Sequence, residues 1–304
     1  MSNVTAGLRK KIHGAGDLQS VVRTMKILAA SSIGQYEKSV RAVGDYYHVV
    51  ELGLGECFRA NASERLMPDL KIKKGERVIG AVVFGSDQGL VGQFNDVVAE
   101  HAVKILKPLT DEAKTLPKIW AVGERVHARL QDAGLPLAGL FTVPNSVNGI
   151  TPLVGQILVE SESQHKQTEA VQLHLFYNRP ASGAVYAPVN QRLLPLDETW
   201  RRKLIELPWP AKNLPEVMGG LGTLRALIRE YLFVSIFRAC AESLASENAS
   251  RLAAMQRADK NIDELLEDLN VTFHRLRQSS IDEELFDVIS GFEALSKEKI
   301  TYSK

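Results

Sequence analysis

No proline occurs after Pro215, and the last third of the chain reads as one very long helix. The first 58 residues read as a second long helix, and everything with strand and turn character lies between the two. Two long apolar-striped helices at opposite ends of a chain predict an antiparallel coiled coil closed by a globular insert. A shaft with a head transmits force or positions partners, and seldom carries a reaction centre.

The N-terminal apolar positions are Leu8, Ile12, Ala15, Val22, Ala29, Ile33, Tyr36, Val40, Val43, Tyr47, Val50, Leu54 and Cys57. From Ala29 the steps alternate four and three, a heptad seam that favours left-handed supercoiling. Gly14 and Gly16 interrupt this stretch at about 1 kcal/mol each against alanine, so the helix is locally weak there or a partner approaches closely. The C-terminal helix is expected from about Thr223 to Leu295, with Leu252, Met255, Ile262, Leu266, Leu269, Phe273 and Leu276 on its seam. The seams of residues 29–57 and 252–276 are expected to pack together. The C-terminal helix exceeds its partner by about 20 residues, roughly 30 Å at the helical rise. Its end carries Phe286, Val288, Ile289, Phe292 and Leu295, which no segment of the chain is left to cover.

The middle changes period. Arg77–Phe84 and Pro117–Gly123 read as buried strands, and Ala170–Asn178 and Gly183–Leu196 as strands around the turn that joins them. Asn95–Leu109, the segment from Glu124 to Gly134, and Thr151–Ser163 read as helices. Alternation of strand and helix predicts a three-layer sheet with some parallel pairing. Leu207–Gly220, rich in proline and glycine, reads as the linker out of it. The fold class is α/β with long terminal helices: an antiparallel two-helix coiled coil formed by the N- and C-terminal helices, with a central three-layer α/β domain. The expected divisions are 1–60, 75–200 and 215–304.

Composition narrows the function. With 37 basic against 36 acidic residues, the basic excess of a dedicated nucleic-acid binder is absent. Cys57 and Cys240 are too few and too far apart for a disulfide framework or zinc spacing, which points to a reducing cytoplasm. The opening residues lack an apolar core of signal-peptide length. No run of about 18 uncharged apolar residues is present, so membrane association is expected only through a partner.

The loop FGSDQGLVGQFN (Phe84–Asn95) sits between a strand and a helix, the usual setting of a phosphate-binding turn. It lacks the Gly-Lys-Ser/Thr ending of a P-loop, and Gly85, Gly89 and Gly92 do not have dinucleotide spacing. They read as structural glycines that permit close packing. The seven histidines form no metal-ligand unit. The acidic groups Asp263–Glu264 and Asp282–Glu283–Glu284 read as solvated or partner-facing helix surface. No catalytic constellation, cofactor site or metal site is expected.

Three segments carry a resemblance. LRKKI…DLQSVVRTMKILAASS resembles the opening helix of the gamma subunit of F-type ATP synthases. GSDQGLVGQFN is similar to that family's Ser-Asp-Arg-Gly-Leu-Cys-Gly turn. The segment from SENASRLAAM to GFEAL is similar to its C-terminal helix nearly end to end. The order and separation match, and the coverage is essentially the whole chain. Gln88 and Val91 replace the arginine and cysteine of the turn, DLQSVVRT replaces a lysine-bearing pattern, and Asp282 stands where threonine is common. This combination looks most like the gamma subunit of the alternate (N-type) bacterial F-ATPases.

The resemblance implies a non-catalytic central rotor stalk inside a ring of three alpha and three beta subunits. Its foot would contact the epsilon subunit and the c-subunit ring on the cytoplasmic face of a bacterial inner membrane. Ion flow would turn the shaft, and its asymmetry would drive ATP synthesis or hydrolysis at the alpha/beta sites. By motif, Met25, Arg251 and Gln278 correspond to beta-contacting positions, and alanine at Arg251 or Gln278 is expected to leave the isolated chain as stable as wild type. The exposed tip, with Phe286, Ile289 and Phe292, would act as a bearing in the alpha–beta sleeve. The choice of sodium or protons lies outside a subunit that does not line the ion path. The competing readings are a non-rotary coiled-coil adaptor and a nucleotide-binding enzyme built on the central domain.

Overall fold

The computed structural model describes residues 2–60, 77–113, 116–165, 170–181, 184–196, 198–210 and 220–301. In chain order the elements are α1 (Ser2–Ala60), β1 (Arg77–Phe84), α2 (Phe94–Ala113), β2 (Lys118–Val122), α3 (Glu124–Asp132), β3 (Leu137–Phe141), α4 (Val147–His165), β4 (Ala170–Ala181), β5 (Ala184–Leu194), α5 (Glu198–Glu206) and α6 (Gly220–Thr301). They form two compact units, Ala29–Leu252 and the pair Met1–Leu28 with Ala253–Lys304, so the unit boundaries cut both long helices.

The larger unit is built on a sheet of order β3-β2-β1-β4-β5. Strands β1, β2, β3 and β4 run parallel, and β5 returns antiparallel to β4. Both faces of β1 are covered, which is why its sequence is an unbroken apolar run. Ile79, Ala81 and Val83 meet Val98, Ala102 and Leu106 of α2 and Val126 and Leu130 of α3. Val82 and Phe84 point the other way, into a core with Ile150, Val154 and Ile157 of α4, Tyr36 of α1, and Ile236, Cys240 and Leu244 of α6. The three layers are thus α2–α3, the sheet, and α4 with the paired long helices. Glu242 of α6 ties the sheet to the helix by accepting from Arg179 on β4 (2.7 Å) and from Arg238 (2.8 Å).

Within this unit α1 and α6 run antiparallel. Tyr36 lies beside Cys240 and Glu247. The Tyr47 ring is 5.6 Å from that of Tyr231, and Tyr46 donates to Glu230 at 2.8 Å. Residues 29–57 therefore pack against the stretch around 224–247, not against 252–276 as the seams suggested. Heptad periodicity identifies the buried stripe on each helix but carries no register, because every seven-residue slide presents an equivalent face. The helix ends are closed by α5: Trp200 stands edge-on to Phe58, and Leu204 joins Leu54, Cys57 and Leu224 in one cluster.

In the smaller unit the partner of 253–280 is the first half of α1. Val22, Met255 and Ile262 form its centre, flanked by Met25, Ala258 and Leu266. Polar clasps flank that core: Lys26 donates to Asp259 at 2.6 Å, Arg23 donates to the same carboxylate at 3.2 Å, and Gln19 donates to Asp263. The Arg9 guanidinium lies 5.7 Å from the centre of the Phe273 ring. Gly14 and Gly16 have no other atom within 4 Å of where a Cβ would stand, so no part of the described chain approaches them closely, and α1 is continuous through them. From Ile281 to Phe292 every residue of α6 is exposed.

Two elements go beyond the sequence expectation. LAGLF became β3 because Gly139 lets the strand lie against Trp120, where a Cβ would come within 3.1 Å of the indole. ETWRRKLIE became α5, too short for periodicity to stand out. The expected linker falls mostly outside the described residues, since only its first four positions and Gly220 are described.

Candidate functional site

The glycine loop is built around hydrogen bonds to itself and its neighbours. Gly85 N–H donates to the Val122 carbonyl at 2.8 Å, which seats the loop against β2. A Cβ at Gly85 would lie 2.3 Å from Val126 and 2.6 Å from Asn95, so no side chain fits. Asn95 closes the loop across its base, accepting from Ser86 N–H at 2.9 Å and donating to Ser86 Oγ at 2.8 Å. Gly92 sits at φ 59°, in the left-handed region, whereas a Cβ at Gly89 would meet only the Arg125 guanidinium, at 3.9 Å. Leu90 also has positive φ (64°) and is 60% exposed. The loop then docks onto distant elements: Ser250 of α6 donates to Val91 O at 2.6 Å, and Asn178 of β4 to Phe94 O at 2.8 Å.

Asp87 decides the chemistry of this loop. Helix α3 starts after Gly123, which has no side chain to cap it. Asp87 supplies the missing acceptor, taking Glu124 N–H at 3.0 Å, while its other oxygen takes Val143 N–H at 2.8 Å. A helix N-terminus beside a glycine-rich turn is where a phosphate would bind. Here the chain's own carboxylate fills that position and would repel one.

Beside the loop, α6 carries a run of buried polar residues unusual for a helix core: Glu242, Ser243, Ser246, Glu247, Asn248 and Ser250. They border a cleft of about 290 Å³ lined by Ser32 and Tyr36 of α1, Asp87 and Gln88 of the loop, Val143–Asn145 after β3, and Glu247, Asn248 and Arg251 of α6. Arg251 is turned inward. Its side chain is 13% exposed, and Nη2 donates to Glu247 Oε1 at 2.7 Å. Burial pushes the Glu247 carboxyl above the usual range; Arg251 opposes that shift and the charge of Asp87 adds to it. Burial first, then Glu247, raises the Tyr36 phenol as well. The expectation that alanine at 251 leaves stability untouched gives way, since removing the guanidinium would strand a buried carboxylate.

The other sequence-marked positions lie in the smaller unit. Met25 is half-buried against the Val22–Met255–Ile262 cluster, and Gln278 is exposed. Phe286, Ile289 and Phe292 are exposed by 68%, 46% and 73%. Among the described residues, no three His, Cys, Asp or Glu side chains converge on a metal position. His174 is buried on β4 against Phe176, its Nδ1 3.0 Å from Asn190, and burial lowers its pKa. Sequence reading passed over Asp87, Glu242 and Glu247, and took Asn95 as a helix cap, whereas its side chain bonds Ser86 across the loop. For the two glutamates the legible signal was a pair of acids inside an otherwise small or apolar helix face.

A site that holds its own carboxylate at the anion position, on a sheet flanked by two long helices, describes an interaction scaffold rather than a reaction centre. The family model described as ATP synthase matches residues 5–295. The chain belongs to the ATP synthase family. Curated relatives in that family are named ATP synthase gamma chain: one from Dechloromonas aromatica is 26% identical over 290 residues, covering 95% of this chain and 98% of its own. One from Salinibacter ruber is 29% identical over 309 residues, covering 95% and 97%. Among solved structures, the rotor of the Euglena gracilis mitochondrial ATP synthase in rotational state 1 matches with a TM-score of 0.58 at 17% identity, over 92% of this chain and all of that one. The central stalk of the Tetrahymena thermophila mitochondrial enzyme matches with a TM-score of 0.53 at 22% identity, over 78% and 99%. These two likenesses show a shared fold.

Proposed function

We infer that this chain is the gamma subunit, the central rotor stalk, of an F-type ATP synthase. It couples ion translocation through a membrane ring to ATP synthesis or hydrolysis at sites formed by alpha and beta subunits. The carrying observation is the family match, which runs through both long helices and the sheet between them. Identities of 24% to 29% to the gamma chains fit a divergent variant. The chain itself is non-catalytic. No described helix is long and apolar enough to cross a membrane, so contact with the bilayer runs through the c-ring, at the cytoplasmic face of a bacterial inner membrane. Residues 1–60 and 215–304 serve as the shaft, and 75–200 as the foot that meets epsilon and the c-ring.

Within that reading, Met25, Arg251 and Gln278 meet beta, and Phe286, Ile289 and Phe292 form a bearing. The support for the bearing is exposure: a row of large apolar groups on a single helix calls for burial in another subunit. A smooth apolar bearing makes few directional bonds, so it guides rotation without holding one angle. Purification of the native complex through a tag on this chain tests the assignment. Alpha, beta, epsilon and c subunits are expected with it. Recovery of the chain without alpha and beta would overturn the reading.

A further inference from the structure

We propose that Glu242 fixes the angle of the two long helices against the sheet, so that a turning load on the foot passes into the shaft without twist being lost between them. This rests on the rotor-stalk reading and names the joint through which such a rotor carries its load. From residue 239 to residue 248 every side chain of α6 is buried, and Glu242 lies within that stretch. Its Oε2 accepts from Arg179 Nε of β4 at 2.7 Å, and its Oε1 accepts from Arg238 Nε of α6 at 2.8 Å. Arg179 also donates to the Tyr177 hydroxyl on β4 and stands 5.5 Å from the centre of that ring. Arg238 stands 5.7 Å from the centre of the Tyr47 ring of α1. One carboxylate thus gathers groups from the sheet and from both long helices.

Stability alone gives little reason for a charge there. The layers are already held by Val82, Phe84 and Leu175 of the sheet against Ile236, Cys240 and Leu244 of α6. A buried ion pair adds little over apolar residues of the same volume, and its best-attested use is to fix register. Apolar burial has no direction, so it resists separation of the layers better than it resists rolling of one over the other. Charge-assisted hydrogen bonds have both a length and a direction. With one oxygen held from the sheet and the other from its own helix, the Glu242 side chain cannot follow a roll of α6 without breaking a bond. A second anchor lies eight residues further along α6, where Ser250 donates to Val91 O of the glycine loop at 2.6 Å. The separation is about 12 Å at the helical rise. Two anchors at different heights oppose turning and tilting of the helix together.

The test uses the full chain assembled with alpha and beta, held to a surface through beta, with a marker on α4 through Val159→Cys. Val159 is exposed, and both native cysteines are buried. Within each pause of the rotation, the angular variance of the marker is inversely proportional to the torsional stiffness between the held head and the foot. Glu242→Met fills the same space without charge and releases two arginines that already reach solvent. Arg179→Met removes the arm from the sheet and leaves Glu242 paired with Arg238. In each variant the variance should rise about twofold, with the melting temperature of the isolated chain nearly unchanged. Leu130→Ala, a truncation in the core on the other face of the sheet, should lower the melting temperature and leave the variance at the wild-type value. Should one methionine variant fold poorly, the other carries the test. Wild-type variance in the methionine variants, or an equal rise in Leu130→Ala, would show that packing alone sets the stiffness. Either overturns the proposal and leaves the rotor reading standing. A wild-type chain that failed to assemble or to turn would instead defeat the rotor reading, and this proposal with it.

Discussion

At the scale of residues, the three loop glycines separate by what surrounds them. Gly85→Ala should destabilise the larger unit by about 2 kcal/mol or more, because a Cβ meets Val126 and Asn95 well inside contact distance. Gly89→Ala has only Arg125 near, at 3.9 Å, and should stay within about 0.5 kcal/mol of wild type. Urea denaturation of both variants checks the contrast, and equal losses would contradict it. Arg251→Ala should cost about 3 kcal/mol by leaving Glu247 buried without its partner. Glu247 also sets a pH dependence. Its folded pKa is raised by burial, so its contribution is fully present below the ordinary value of 4.5 and is lost as pH rises through the folded value. Melting temperatures measured from pH 4 upward should fall in wild type relative to Glu247→Gln as that window is crossed. A constant gap between the two would show that the carboxylate titrates as an exposed one. The sequence disclosed the glycines but not the loop's polar locks, because the partners of Asp87, Ser250 and Asn178 lie far off in the chain and are brought together only by the sheet.

At the scale of elements, the two apolar seams were legible residue by residue. Ala15, Val22, Ala29, Tyr36, Val50, Leu54 and Cys57 are buried along α1, as are Met255 and Ile262 along α6. Their register was not legible, since it depends on where the chain leaves and re-enters the sheet. The parallel strands announced themselves as apolar runs, whereas β3, short and glycine-containing, did not. Ile262→Ala should destabilise the smaller unit by about 2 kcal/mol through lost packing against Val22 and Met255, and chemical denaturation of the purified chain checks it. The end of α6 behaves differently, because its large apolar groups Phe286, Val288, Ile289 and Phe292 are exposed. Truncation of residues 297–304 should be nearly silent in assembly and turnover. Truncation from Phe286 onward should weaken assembly more than it slows each surviving complex. Normal assembly with abolished turnover would make the tip a torque element rather than a bearing.

At the scale of the whole molecule, the buried and paired charges among the described residues fix helices to the sheet and to one another. Glu242 between two arginines, Asp87 at the start of α3 and the Asp259 clasp are all structural uses of charge. Lys26 and then Arg23 hold Asp259 below the ordinary aspartate range, so that clasp is complete at neutral pH and is lost only as strong acid protonates it. Calorimetry with magnesium-ATP on the isolated chain should detect no saturable micromolar binding, because the carboxylate of Asp87 already occupies the helix terminus a phosphate would need. A shaft must also turn, and this separates the rotor from an adaptor that assembles identically. The direct measurement is single-molecule imaging of a marker on this chain within a complex immobilised through its beta subunits, with ATP supplied. The rotor account predicts continuous rotation in one sense, with pauses repeating at three positions per turn. ATP hydrolysis by that complex while the marker stays at a fixed angle would contradict it.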